Sequence, residues 1–262
     1  SNPAAVAPDQ AAVVRGLSRA DLFTVVHDQF FTDTADYADI VLPATTFLEH
    51  KDVQGAYGHY YVQLSEQSIA PLGEARSNVW LFSQLAQRMG FPEPCFRDTH
   101  DDLIAQALHS SQPDAQHPWM AGMTPETLAA AGGMQRLRFS ESQSGQRFLP
   151  FAEGPFATPS GKIEFYSEAL AAQGVDPLPA FQPAPESRHT AASERYPLEF
   201  LPRKADNYMN STFINLPGHR KLESAHNGIL EIHTDDAALR GIAEGDAVKV
   251  FNDRGEILLH AH

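Results

Sequence analysis

Residues 21–43, DLFTVVHDQFFTDTADYADIVLP, decide how the chain is read. The run from Asp21 to Asp28 is short and apolar until it ends in Asp28, the pattern of a buried strand with a polar residue at its C-terminal edge. Thr32 or Thr34 then stands where a short helix would be capped, and Asp39 to Leu42 read as a second short strand closed by Pro43. Two strands joined by so short a helix predict one unit of a parallel sheet. Ligands of such sheets collect at the carboxyl ends of strands, where Asp28 falls.

Downstream the pattern changes. VQGAYGHYYVQLSEQSI, residues 53–69, alternates and carries Gly55 and Gly58, which predicts a small antiparallel excursion. Apolar residues at 79, 81, 82, 85, 86 and 89 have helical spacing, with Asn78 as the expected N-cap and Gly90 as the stop. A second amphipathic helix is expected within residues 97–110, around DDLIAQALH, followed by the loop SSQPDAQHP. A third opens at Thr124 with Pro125 in its first turn and ends at Gly132-Gly133. Residues 139–195, rich in Pro, Gly, Ser and Gln, suit a long surface excursion interrupted by a strand at KIEFYS, 162–167. The last 70 residues read as all-β, with strands in YPLEFLP, NYMNSTF, ILEIHT, DAVKVF and EILLHA and one short helix, DDAALR, ending at Gly241. Asn252 to Gly255 form the turn between the last two.

Composition narrows the function. The 262 residues carry 33 acidic and 19 basic side chains, a formal charge of −14 that excludes a general nucleic-acid surface. One cysteine, Cys95, excludes an internal disulfide, a four-cysteine metal site and a CxxC pair, and without a basic neighbour it reads as inert. No apolar window approaches the roughly 20 residues of a membrane span. No signal peptide is visible, so a soluble, cytoplasmic chain is expected. The twelve histidines show no ligand pairing on one element, so no metal site and no catalytic residue is assigned. The abrupt start at Ser1-Asn2-Pro3 and a strand running into the terminus suggest a piece of a larger enzyme, against a short protein processed at its N-terminus.

Two polar groupings carry the candidate chemistry. Asp28, Thr32, Asp33 and Thr34 bring carboxylates and hydroxyls to a strand end, as a nucleotide base or sugar requires, although the threonines serve equally as helix caps. Arg203, Lys204 and Asn207 to Thr212 gather cationic, amide and hydroxyl groups suited to phosphate or pterin, or simply to a polar turn. Tyr57, Tyr60 and Tyr61 alternate as sheet-packing residues do, with a pocket lining as the other reading.

At these residues the chain resembles the molybdopterin oxidoreductases that carry a bis-guanine-dinucleotide molybdenum or tungsten cofactor, such as formate dehydrogenase, nitrate reductase and polysulfide reductase. Ser1-Asn2-Pro3 resembles an internal Gly-Ser-Asn-Pro loop of the family. Its Asp-x-Phe-x-Thr-x-Thr-Ala segment reads here from Asp28 to Ala35. Ala38-Asp-Ile-Val-Leu-Pro43, Glu49, Gly55, Pro71-x-Gly-Glu-Ala-Arg76, Thr158-Pro-Ser-Gly-Lys-Ile-Glu-Phe165, Asp236-Ala237 and Gly241 to Gly255 follow in family order. The resemblance implies a partial split α/β Rossmann-like region followed by an incomplete double-psi β-barrel. It divides the chain at 1–47 (α/β tail), 48–75 (small excursion), 76–194 (helices and irregular excursion) and 195–262 (partial barrel). It implies that Asp28, Thr32 and Asp33 touch a guanosine, and that Arg203, Asn210, Ser211 and Asn252 face a pterin or phosphate.

Two departures stand out. The loop after Gly55 reads Ala56-Tyr-Gly-His-Tyr-Tyr-Val-Gln63 rather than the family's pattern, and the family's metal ligand and cysteine cluster would lie before Ser1. The expectation is therefore a cofactor-cradling piece, inactive alone and without bound cofactor, whose partner is the N-terminal part of the same enzyme. A stand-alone binding or assembly module is the other reading. Ile257 to Leu259 are expected to form an unpaired barrel edge through which the chain self-associates.

Overall fold

The short apolar run does form a strand, and its partner lies beside it in parallel. The computed structural model describes residues 2–109, 118–139 and 156–262. In chain order the elements are α1 (Pro3–Val6), α2 (Gln10–Leu17), β1 (Val25–Asp28), β2 (Ile40–Pro43), β3 (Asp52–Ala56), β4 (His59–Ser65), α3 (Asn78–Met89), α4 (His100–Leu108), α5 (Pro125–Ala130), β5 (Met134–Arg136), α6 (Glu168–Ala172), α7 (Pro217–Glu223), β6 (Ile229–Leu230), α8 (Thr234–Arg240), β7 (Ala247–Phe251) and β8 (Glu256–Ala261). Among the described residues the fold is mixed α/β with three small sheets. It divides into two compact units, one of residues 1–115, 122–136 and 202–262, the other of 116–121 and 137–201.

β1 and β2 pair in parallel with Asp28 opposite Pro43, so the strand pair ends where the sequence put its polar edge. The connection is one 3-10 turn at Ala35–Tyr37, and its cap differs from expectation. Neither Thr32 nor Thr34 caps it through a side chain, because the Thr34 hydroxyl is committed to Asn2, across 32 residues. Beyond β2 the chain bridges to Arg76, whose carbonyl accepts from the Thr45 N–H at 3.1 Å, and this leads into α3. Ser77 rather than Asn78 caps α3, its hydroxyl accepting from the Trp80 N–H at 3.2 Å, while Asn78 turns to the His27 ring. Gly90 ends α3 at φ +75, a left-handed position that glycine takes without a Cβ penalty.

The excursion is an antiparallel hairpin of β3 and β4, and β5 joins it as a third strand that the sequence pattern did not suggest. α4 and α5 open with Thr99 and Thr124 capping boxes, and Ile104, Leu108, Met123 and Leu128 supply a small buried core. Residues 110–117 of the expected loop SSQPDAQHP, His117 among them, and residues 140–155 of the expected excursion lie outside the described residues.

Three expected strands are absent from the described residues. KIEFYS forms a turn held by its own side chains, with Ser160 N–H donating to Glu164 and the Thr158 hydroxyl to the Lys162 carbonyl. Ile163 and Phe165 alternate but stay exposed, since no neighbouring strand pairs with them. YPLEFLP and NYMNSTF are likewise irregular, and the latter runs into a 3-10 turn at Phe213–Asn215 and then α7, so the last 70 residues are not all-β.

The final sheet has the order β6-β8-β7. β7 and β8 form the expected hairpin, but β8 is the middle strand, because β6 pairs in parallel with its C-terminal end at His260 and Ala261. Only the Glu256–Leu259 portion of β8 keeps an open side toward β6 among the described pairings.

Candidate functional site

The site is built on the loop that leaves β1. Asp28 closes the strand half-buried, its Oδ1 accepting from the Phe30 N–H at 3.2 Å, which turns the chain sharply. Two residues on, Thr32 is 5% exposed and its Oγ1 is buried without a hydrogen-bond partner. Such a hydroxyl costs about 1–3 kcal/mol when left unsatisfied. Asp33 is exposed, with Oδ2 accepting from Asn2 Nδ2 at 2.8 Å.

Asn2 holds the whole loop. Its Oδ1 accepts from the Thr34 N–H at 3.1 Å and from the Thr34 hydroxyl at 2.7 Å, and Thr34 Oγ1 in turn accepts from the Ala4 N–H at 3.1 Å. Both residues are buried. Sequence reading quoted Asn2 only within a motif and missed this function. Its position before Pro3 signalled an N-cap, yet the side chain caps nothing in α1 and reaches the 32–34 loop instead.

Behind β1, His27 Nε2 faces the carbonyls of Pro43 and Arg76 at 3.2 and 3.1 Å, so that nitrogen carries a proton. Glu49 is buried, and its two oxygens accept the N–H groups of Thr46 and Leu72, each at 2.6 Å. Those two bonds hold its carboxyl below the ordinary carboxylate value, the Thr46 N–H contributing most.

The second grouping occupies the segment before and after α7. Arg203 is exposed and sits 3.5 Å from Glu231. Lys204, Asp206, Asn207, Tyr208, Met209, Phe213 and His219 line an open cavity of about 420 Å³. Buried Glu223 accepts the Asn207 N–H, and His219 Nδ1 lies 2.8 Å from the Asn207 carbonyl, so α7 sets the cavity wall. Neither Glu223 nor α7 was visible in the pattern. Asn210 adopts φ +54, a left-handed conformation that asparagine tolerates, and the Ser211 carbonyl accepts from Asn215. Asn252 is built into the β7–β8 turn, its Oδ1 accepting from the Arg254 and Gly255 N–H groups at 2.9 and 3.1 Å. Cys95 is exposed. Among the described residues no group of three or more His, Cys, Asp or Glu side chains is arranged to hold a metal ion, and no helix is long and apolar enough to cross a membrane.

Comparison with known proteins covers the stretches that hold both groupings. Residues 1–88 match the molybdopterin oxidoreductase family model, and residues 198–262 match the molydopterin dinucleotide binding domain. The probable oxidoreductase YoaE of Bacillus subtilis is 40% identical over 261 residues, covering all of this chain and 35% of its own length. The dimethyl sulfoxide/trimethylamine N-oxide reductase of Cereibacter sphaeroides is 33% identical, over 99% of this chain and 32% of its own. Acetylene hydratase from Pelobacter acetylenicus superposes with a TM-score of 0.70 at 26% identity, over 97% of this chain and 33% of that one. The chain thus spans about a third of the length of the relatives it matches. With the β1 loop inside one family domain and the 203–252 grouping inside the other, the chain belongs to the molybdopterin oxidoreductase family.

Proposed function

We propose that this chain is a cofactor-holding part of a molybdenum- or tungsten-dependent oxidoreductase, and that its two groupings take the guanosine and the phosphate or pterin portions of a bis(molybdopterin guanine dinucleotide). The observation that carries this reading is Thr32, a buried hydroxyl without a partner on the loop that leaves the end of a parallel strand pair, with Asp28 and Asp33 on the same loop. Asp28 and Asp33 supply acceptors of the kind guanine N–H and ribose hydroxyl groups need. Arg203 and Lys204 supply the cations an anionic dinucleotide requires on a chain of charge −14. Asn210 and Ser211 add neutral donors beside them. The Asn252 oxygen serves the β7–β8 turn, and the residue faces the pterin from there.

The residues present therefore fit the group. When bound, the cofactor's metal supplies the electron- or oxygen-transfer chemistry, and the protein's part is to bind and orient. Asn2 keeps the 32–34 loop in place before any ligand arrives, which lowers the cost of ordering it. In this reading the β6-β8-β7 sheet is the first part of a double-psi barrel, and residues 1–47 are the tail of a split α/β domain. The partner is the remaining length of the same enzyme. Trp80, Phe82, Leu85 and Met89 of α3, each about half exposed, support such packing.

The test is composition of the longer enzyme that carries this chain. Elemental analysis and acid hydrolysis are expected to give about one molybdenum or tungsten and two GMP per polypeptide. Asp33→Ala with Arg203→Ala is expected to lower both together. Full-length enzyme lacking both metal and GMP, or retaining full occupancy in the double variant, overturns the reading.

A further inference from the structure

Away from both groupings, two imidazoles lie face to face. The His50 and His100 rings stack with centroids 5.3 Å apart and planes 25° from parallel, and both residues are half-buried. Each ring is tied to a different part of the body. His50 Nδ1 lies 2.9 Å from the hydroxyl of buried Thr45, just past β2, and His100 Nε2 lies 3.0 Å from the hydroxyl of Ser77, the cap of α3. His50 leads into β3, and His100 is the first residue of α4. The stack therefore joins the hairpin and α4 on one side to the end of β2 and the start of α3 on the other.

We infer that the His50–His100 stack is an acid-released clasp between the β3–β4 hairpin with α4 and the β1–β2 pair with α3. Charge is poorly received there. His100 is the first residue of α4 and meets the cap of α3, where helix dipoles repel a cation, and a proton on each ring would set two cations face to face. Burial, with His50 second, pushes the His100 imidazole below its ordinary value. Opposing this are Asp52 at the start of β3, a hydrogen bond to the Lys51 backbone and Asp101 on α4. Glu49, beside His50, is already held by two N–H groups, and Lys51 is paired with Asp101 at 2.7 Å and with Glu66 of the segment after β4 at 3.4 Å. On the α3 side the facing group is the uncharged Ser77, with His27 bound to the next residue, Asn78.

The sign follows from linkage. A histidine whose folded value lies below its unfolded one binds fewer protons when closed, so the closed state is favoured above the ordinary value of 6.5 and loses that advantage as pH falls below it. Amide hydrogen exchange on the chain at about pH 7.5 and about pH 5.5, expressed as protection factors, reads the clasp. Trp80, Leu81 and Leu103, whose amides close the first turns of α3 and α4, are expected to lose at least about fivefold protection at the lower pH, while Val250 and Leu259 of the β7–β8 hairpin stay within about twofold. His100→Gln is expected to abolish the pH dependence. His50→Gln, which leaves His100 to titrate without its neighbour, is expected to move the midpoint to higher pH. Equal protection at both pH values in the unmodified chain, an undiminished loss in His100→Gln, or an unmoved midpoint in His50→Gln overturns the clasp.

Discussion

Asn2 Oδ1 accepts both the backbone N–H and the hydroxyl of Thr34, 32 residues away, at 3.1 and 2.7 Å. With the Asn2 amide donating to Asp33 at 2.8 Å, one side chain fixes the loop between β1 and β2 from three directions. Both Asn2 and Thr34 are buried, so water does not replace these bonds when one partner is removed.

Asn2→Ala is therefore expected to destabilise the chain by about 2–4 kcal/mol, read as a lowered urea midpoint at unchanged m. Asn2→Asp separates the contributions. It keeps the acceptor for Thr34 but sets a second carboxylate against Asp33, so it should cost most at neutral pH and recover as the solution is acidified. Equal losses at neutral and acid pH contradict this assignment.

Glu49 gives a pH dependence of opposite origin to that of His100. Its folded value lies below the unfolded one, so its contribution is present above the ordinary value of 4.5 and is lost as pH falls through the lowered folded value. Glu49→Gln is expected to lower the melting temperature at neutral pH and to flatten the acid limb of the stability curve. An acid limb as steep as in the unmodified chain rules out Glu49 as its source.

Asn252 tests whether a candidate residue is needed for the fold, the ligand or both. Its Oδ1 closes the β7–β8 turn. Asn252→Asp preserves that acceptor and is expected to change stability by less than about 0.5 kcal/mol, whereas Asn252→Ala is expected to cost about 1–2 kcal/mol. Identical melting temperatures for the two variants contradict the turn assignment.

Ile257 and Leu258 are 47% and 73% exposed, beside the part of β8 that β6 does not reach. Self-association through this short edge is expected to appear as a concentration-dependent sedimentation coefficient, abolished by Leu258→Lys. A single sharp monomer at every concentration, with fast amide exchange over residues 256–259, contradicts it.

The elements legible in the sequence were those whose signals are local. The polar end of β1, the Gly90 and Gly241 stops, the Thr124 cap and the Asn252–Gly255 turn all follow from residues within a few positions of one another. What stayed hidden depends on partners far along the chain. Asn78 looked like a cap until His27 claimed its side chain, and nothing near Asn2 in the chain pointed to Thr34. KIEFYS has strand alternation but no neighbouring strand, and alternation without a ladder does not make a strand. β5 is too short to show a period, and β8 became the middle strand only through β6, a two-residue segment. Of the candidate site, residue identities were legible, while the buried, unpartnered state of Thr32 was not, since burial depends on the fold.

The most direct test of the central claim, that the β1 loop holds a guanosine, is titration of the ¹⁵N-labelled chain with GDP. Half-saturation is expected above about 1 mM, because one nucleotide captures only part of the cofactor's contacts. Amide shifts are expected to centre on residues 28–34, with a weaker set at 203–211, and the first set should vanish in Asp28→Ala with Asp33→Ala. Shifts that fall elsewhere, or that persist unchanged in the double variant, would contradict the account.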